Sequence, residues 1–132
     1  AYRTCKHGHD HVGVAGTYNN MGDVLLRQGE YEQALEYFNK ALKIRVDKLG
    51  HDHVDVAATV DNMGLVLRAQ GKFAEALEKH QQALDIRLSK LSHDHVDVAK
   101  TYNNMGVVIK MQGDYKKALE YYNMALKIRV DK

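Results

Sequence analysis

The chain of 132 residues has no proline and no tryptophan, one cysteine, two serines and a formal net charge of only +2. Each scarcity excludes something. The lone Cys5 cannot form an internal disulfide, so the fold rests on burial; this suits a reducing compartment, and we expect a cytoplasmic location. With Ser89 and Ser92 as the only serines, no serine-based catalytic constellation can be assembled, and no glycine-rich phosphate loop is present. Cys5 has His7, His9 and His11 after it but no partner elsewhere that would make it a nucleophile. We therefore read a non-enzyme without catalytic residues or cofactors. The near-neutral charge calls for neither nucleic acid nor a membrane surface. No apolar run approaches the roughly 18 residues needed to span a bilayer, and no signal-peptide pattern opens the chain.

What is present is repetition. His-Asp-His recurs at residues 9–11, 51–53 and 93–95, a spacing of 42 residues each time. The frame around it returns as HDHVGVAGTYNNMG, HDHVDVAATVDNMG and HDHVDVAKTYNNMG, each followed by QG, an aromatic, ALE and AL-x-IR. A fixed period of this length denotes a stacked array of small units. We divide one repeat domain, 1–132, into repeats 9–50, 51–92 and 93–132. Residues 1–8 resemble the tail of a preceding unit, because Tyr2-Arg3 shifted by one period falls on Ile44-Arg45. The expectation is a segment cut from a longer array, or an engineered one.

In the middle repeat Val56, Val60, Met63 and Leu67 recur at helical spacing, and so do Phe73, Ala76, Leu77, His80, Ala83, Leu84 and Leu88. This predicts helix A over about 54–70 and helix B over about 73–90. Gly71, with Gly29 and Gly113 in the other repeats, marks a turn that a residue of positive φ closes cheaply. Small residues recur where helices must approach closely: Gly22, Gly64 and Gly106 on helix A, and Ala34, Ala76, Ala118, Ala41, Ala83 and Ala125 on helix B. The fold class is all-α, and each helix pair must stack on the next to bury its second face. Without distinct polar capping helices, apolar end faces are expected, and with them end-to-end homo-oligomers.

These residues resemble the tetratricopeptide repeat, in the 42-residue form typical of kinesin light chains. Tyr18, Met21-Gly22, Gly29, Tyr31, Ala34, Phe38 and Ala41 match its pattern in the first repeat. Tyr102, Met105-Gly106, Gly113, Tyr115, Ala118, Tyr122 and Ala125 match it in the third. The kinesin-light-chain linker resembles L-G-P-D-H-P-D-V-A, and the chain has Leu49-Gly50-His51-Asp52-His53-Val54-Asp55-Val56-Ala57, with both prolines replaced. Loss of those prolines costs stability rather than fold. The resemblance implies a right-handed α-solenoid of antiparallel helix pairs and a protein-interaction scaffold whose A helices line a concave groove for an extended peptide.

Carried over position by position, the groove set is Asn19, Asn20, Asp23, Arg27, Asp61, Asn62, Leu65, Arg68, Lys100, Asn103, Asn104, Val107, Lys110 and Met111. Asn20, Asn62 and Asn104 form a row. An amide side chain both donates and accepts, so such a row suits a peptide backbone or, alternatively, a neighbouring helix. The four basic residues suit a protein or peptide ligand with acidic segments, while Asp23 and Asp61 offset them toward the N-terminal half. A carboxylate clamp of the chaperone-binding type is not matched beyond Asn62 and Lys100. The competing reading is a self-assembling or spacer array that acts through its ends.

His-Asp-His contains metal-ligand types, but a metal site draws three or four ligands to one point, and these clusters lie a repeat apart. We read no metal site. Asp52 is expected as the N-cap of helix A with Asp55 in a capping box, and Asp10 and Asp94 likewise. His80 stands where Phe38 and Tyr122 stand and reads as a packed aromatic substitute.

Overall fold

The computed structural model describes residues 12–92 and 94–131. Six helices follow one another with no strand among the described residues: α1 (Val12–Arg27), α2 (Tyr31–Leu49), α3 (Val54–Ala69), α4 (Phe73–Lys90), α5 (Val96–Met111) and α6 (Tyr115–Asp131). They form three antiparallel pairs, α1–α2, α3–α4 and α5–α6, and each pair stacks on the next. The A helices α1, α3 and α5 approach one another more closely than the B helices do, so the A side is the inner face. The expected helix ends at 54 and 73 hold, and helix A stops one residue short of expectation.

The turns follow from backbone chemistry. Gly29, Gly71 and Gly113 have φ of 83°, 81° and 92°, the left-handed region that side chains disfavour. Each lies one residue beyond the residue that closes its A helix, and the chain reverses there within three residues.

The glycine inside helix A has a different cause. A Cβ built on Gly64 would stand 2.7 Å from the His80 ring, and one on Gly22 or Gly106 would stand 2.7 Å from Phe38 or 2.8 Å from Tyr122. Each ring fills the space a Cβ would occupy on its partner helix, which only a missing side chain permits. Ala34, Ala41, Ala76 and Ala83 are fully buried beside them. The core therefore does not stop at repeat boundaries. Ala34 and Phe38 of α2 pack with Met63 and Val66 of α3, and Leu84 of α4 packs with Val98, Met105 and Ile128 of the next pair.

The entry to helix A differs from expectation. His53, not Asp52, is the N-cap: its Nδ1 accepts from the Asp55 backbone N–H at 3.0 Å, and its carbonyl accepts from Val56 and Ala57. His95 caps α5 the same way through Asp97 N–H, also at 3.0 Å. Asp52 sits one residue too early; it is exposed and faces Lys90 Nζ at 3.6 Å. Asp94 likewise precedes the cap and accepts from Ser92 at 2.8 Å. The tail assigned to residues 1–8 and the cap assigned to Asp10 lie outside the described residues.

Candidate peptide-binding face

The inner face is built on two junctions with the same wiring. At the first, Arg45 of α2 donates to Thr59 Oγ1 at 2.8 Å and to the Asp55 carbonyl at 3.1 Å. Thr59 donates to Asn19 Oδ1 at 3.3 Å, and Asn62 Nδ2 reaches the same oxygen at 3.4 Å. At the second, one period on, Arg87 of α4 donates to Thr101 Oγ1 at 2.7 Å and to the Asp97 carbonyl at 3.2 Å. Here Asp61 replaces Asn19, and its Oδ2 accepts from Arg87 at 2.9 Å and from Thr101 and Asn104 at 3.4 Å each.

The replacement of Asn19 by Asp61 is matched by that of Phe38 by His80. Asp61 Oδ1 lies 2.5 Å from His80 Nδ1, and both residues are buried. Facing a carboxylate, Nδ1 carries the proton and donates. Burial pushes the Asp61 carboxyl up, but the hydrogen bond and charge of His80, and then the charge and hydrogen bond of Arg87, outweigh it and hold the group below its ordinary value of 3.8. His80 is thus a packed ring, as expected, and also a polar partner. Asp61 is not a groove residue: at 2% exposure it is spent inside the second junction and offsets no surface charge.

The remaining groove candidates divide into two sets. Asn19, Asn62 and Asn104 are half-buried and bonded across the junctions, Asn62 and Asn104 each reaching back to the preceding A helix. Asn20, Lys100, Asn103 and Lys110 are exposed, and Leu65, Arg68 and Val107 are half-buried. Arg27 is exposed and pairs with Asp23 at 3.2 Å. Among the described residues no group of three or more His, Cys, Asp or Glu side chains could hold a metal, and no helix is long and apolar enough to cross a membrane. Arg45, Arg87, Thr59 and Thr101 were not singled out by sequence reasoning. The available signal was the arginine of each AL-x-IR frame and the threonine at 17, 59 and 101.

The family pattern described as tetratricopeptide repeat matches residues 13–89 and, in a second register, 55–129. The chain belongs to the tetratricopeptide-repeat family. Tetratricopeptide repeats are generally non-catalytic and mediate protein–protein interaction. The fold resembles BtubC (BKLC) from P. vanneervenii at 26% identity and a TM-score of 0.86, over 97% of this chain and 52% of that one. It also resembles the tetratricopeptide domain of Arabidopsis FLU, at 24% identity and 0.76, over 89% and 96% of the two chains. The kinesin-light-chain repeats of Podosopora anserina match at 18% identity and 0.80, over 91% of this chain and 57% of theirs. The chain therefore spans about half the length of BtubC. Among curated proteins none matches the sequence. The solenoid is right-handed and all-α, as expected, with neighbours of the kinesin-light-chain type.

Proposed function

We propose that this tetratricopeptide array is a non-catalytic cytoplasmic scaffold that holds an extended polypeptide along the face of its A helices. The observation that carries the reading is a division of labour on that face. Asn19, Asn62 and Asn104 lock one helix to the next, while Asn20, Lys100, Asn103 and Lys110 are exposed and Leu65, Arg68 and Val107 half-buried. A locked framework loses little conformational freedom when a ligand settles on it. Asn62 and Asn104 also retain a carbonyl and a second N–H for a peptide backbone. With Asp61 turned inward, that carboxylate no longer offsets Arg68, Lys100 and Lys110, which favours acidic segments.

The test is a peptide-array screen of wild type beside Lys100→Glu/Lys110→Glu, two exposed positions outside every junction bond. Acidic peptides should bind wild type and lose about tenfold or more in the variant, as expected for two charge-assisted contacts. Binding indifferent to both charges would defeat the reading.

A second reading rests on the end faces. Leu119 and Leu126 of α6 are 61% and 58% exposed, whereas Leu84, the counterpart of Leu126, is 5% exposed; on α1, Val24 is 53% exposed against 0% for Val66 and Val108. Contact between the α6 and α1 faces of two copies would repeat an internal junction. Sedimentation mass that rises with concentration, and that Leu119→Lys/Leu126→Lys abolishes, would favour this assembly.

A further inference from the structure

The middle repeat breaks a pattern that both its neighbours keep. Tyr18 and Tyr37 pair in a tilted arrangement with ring centroids 5.8 Å apart, and Tyr102 and Tyr121 do so at 6.1 Å. The same two positions hold Val60 and Lys79 in the middle repeat. At the second junction Tyr102 and Tyr121 pack against the cluster of Leu84, Val98 and Ile128. The counterparts at the first junction, Leu42, Val56 and Ile86, instead line an open groove of about 470 Å³ with Val60 as part of its floor. Lys79 and Asp85 stand at its rim.

We propose that this groove is a docking site for one tyrosine side chain of a partner polypeptide, its ring occupying the space left by the absent aromatic pair. The floor is branched aliphatic, the same surface on which Tyr102 and Tyr121 lie one repeat later. The rim complements a phenol in charge. Lys79 is half-buried and has no ion-pair partner among the described residues, so its ammonium is available to the face of a ring. Lys40 shows this arrangement in the first repeat, with Nζ 4.9 Å from the Tyr37 centroid. Asp85 is exposed and accepts one bond from Gln81 at 2.9 Å, which leaves carboxylate capacity for a phenolic O–H. That acceptor selects tyrosine over phenylalanine.

The groove lies on the opposite side of the array from the peptide face. At about 100° per residue, Val56 and Leu65 project from α3 about 180° apart. The site therefore stands independently of the inner-face reading, and one partner segment cannot occupy both.

The test is a titration of the whole chain with N-acetyl-tyrosinamide, followed by amide ¹H–¹⁵N shifts. Saturable shifts are expected at Val46, Val60, Lys79 and Ile86, with none from N-acetyl-leucinamide at equal concentration. Val60→Tyr/Lys79→Tyr, which installs the neighbours' own pair, should abolish the response and raise Tm. Lys79→Glu, a rim change outside the core, should weaken the probe by about threefold or more, the scale of one lost cation–π contact. No shift at the groove, an equal response to the leucine probe, or unchanged affinity in Lys79→Glu overturns the proposal.

Discussion

At the scale of single residues, the two junctions form an internal experiment. Asn19 with Phe38 and Asp61 with His80 solve the same packing problem, one with a neutral acceptor beside Arg45 and one with a charged acceptor beside Arg87. Removing one member of a buried ion pair costs about 3–5 kcal/mol because the survivor stays buried and uncompensated. Asp61→Ala should therefore destabilise by about that much in urea melts, since Arg87 is only 5% exposed. Asp61→Asn/His80→Phe copies the first junction and should recover most of the loss; equal losses in both variants would show that the charge is not what matters. The pH dependence has a definite sign. The folded carboxyl of Asp61 is held below 3.8, so its contribution is present in full above that pH and is lost as pH falls through the lower folded value. The stability gap between wild type and Asp61→Asn should be constant above about pH 4 to 5 and shrink below it. A gap that grows on acidification would reverse the assignment. Only part of this wiring was legible from the chain alone: the asparagine row admitted a neighbouring helix as its partner, but the inward turn of Asp61 left no mark. Asp61 lies on the flank of α3 between core and groove, and periodicity does not say which neighbouring helix covers that flank.

At the scale of the helix, the informative positions are its first residue and its glycine. A histidine accepting through Nδ1 does the work that a short polar side chain usually does at an N-cap. His53→Ala should cost about 0.5–2 kcal/mol, while Asp52→Ala, which removes only an exposed ion pair, should cost well under about 1 kcal/mol. The reverse order in thermal melts would restore Asp52 as the cap. Gly64→Ala should cost more than the about 1–3 kcal/mol of an ordinary overpacked core, because its Cβ would meet the His80 ring rather than the end of a flexible chain. An unchanged Tm would show that the ring yields. The helix spans and this close approach were legible because each leaves a mark in composition: apolar residues three and four apart, and a glycine where propensity disfavours one. The cap was not, because His-Asp-His offers three successive side chains able to accept, and only the backbone decides which has the extended geometry that His53 shows.

At the scale of the molecule, coupling between repeats is carried by a thin set of contacts. A solenoid's stability is close to a sum of unit and nearest-neighbour terms, so weakening one junction need not weaken the other. The second junction joins α3 and α4 to α5 through Asp61, Arg87, Thr101 and Asn104, with the apolar cluster around Leu84 beside them. The first joins α1 and α2 to α3 through Arg45, Thr59 and Asn19, which Asp61→Ala does not touch. The architecture itself could be read from the 42-residue period, but a period cannot rank junctions whose residues differ at only a few places. Hydrogen exchange can rank them, because each cooperative unit opens with its own free energy. In Asp61→Ala the amides of α5 and α6 should lose protection first and together, while those of α1 and α2 keep nearly their wild-type rates. Uniform loss across all six helices would mean that the array unfolds as one body, and that the buried charge holds the whole chain rather than its last repeat.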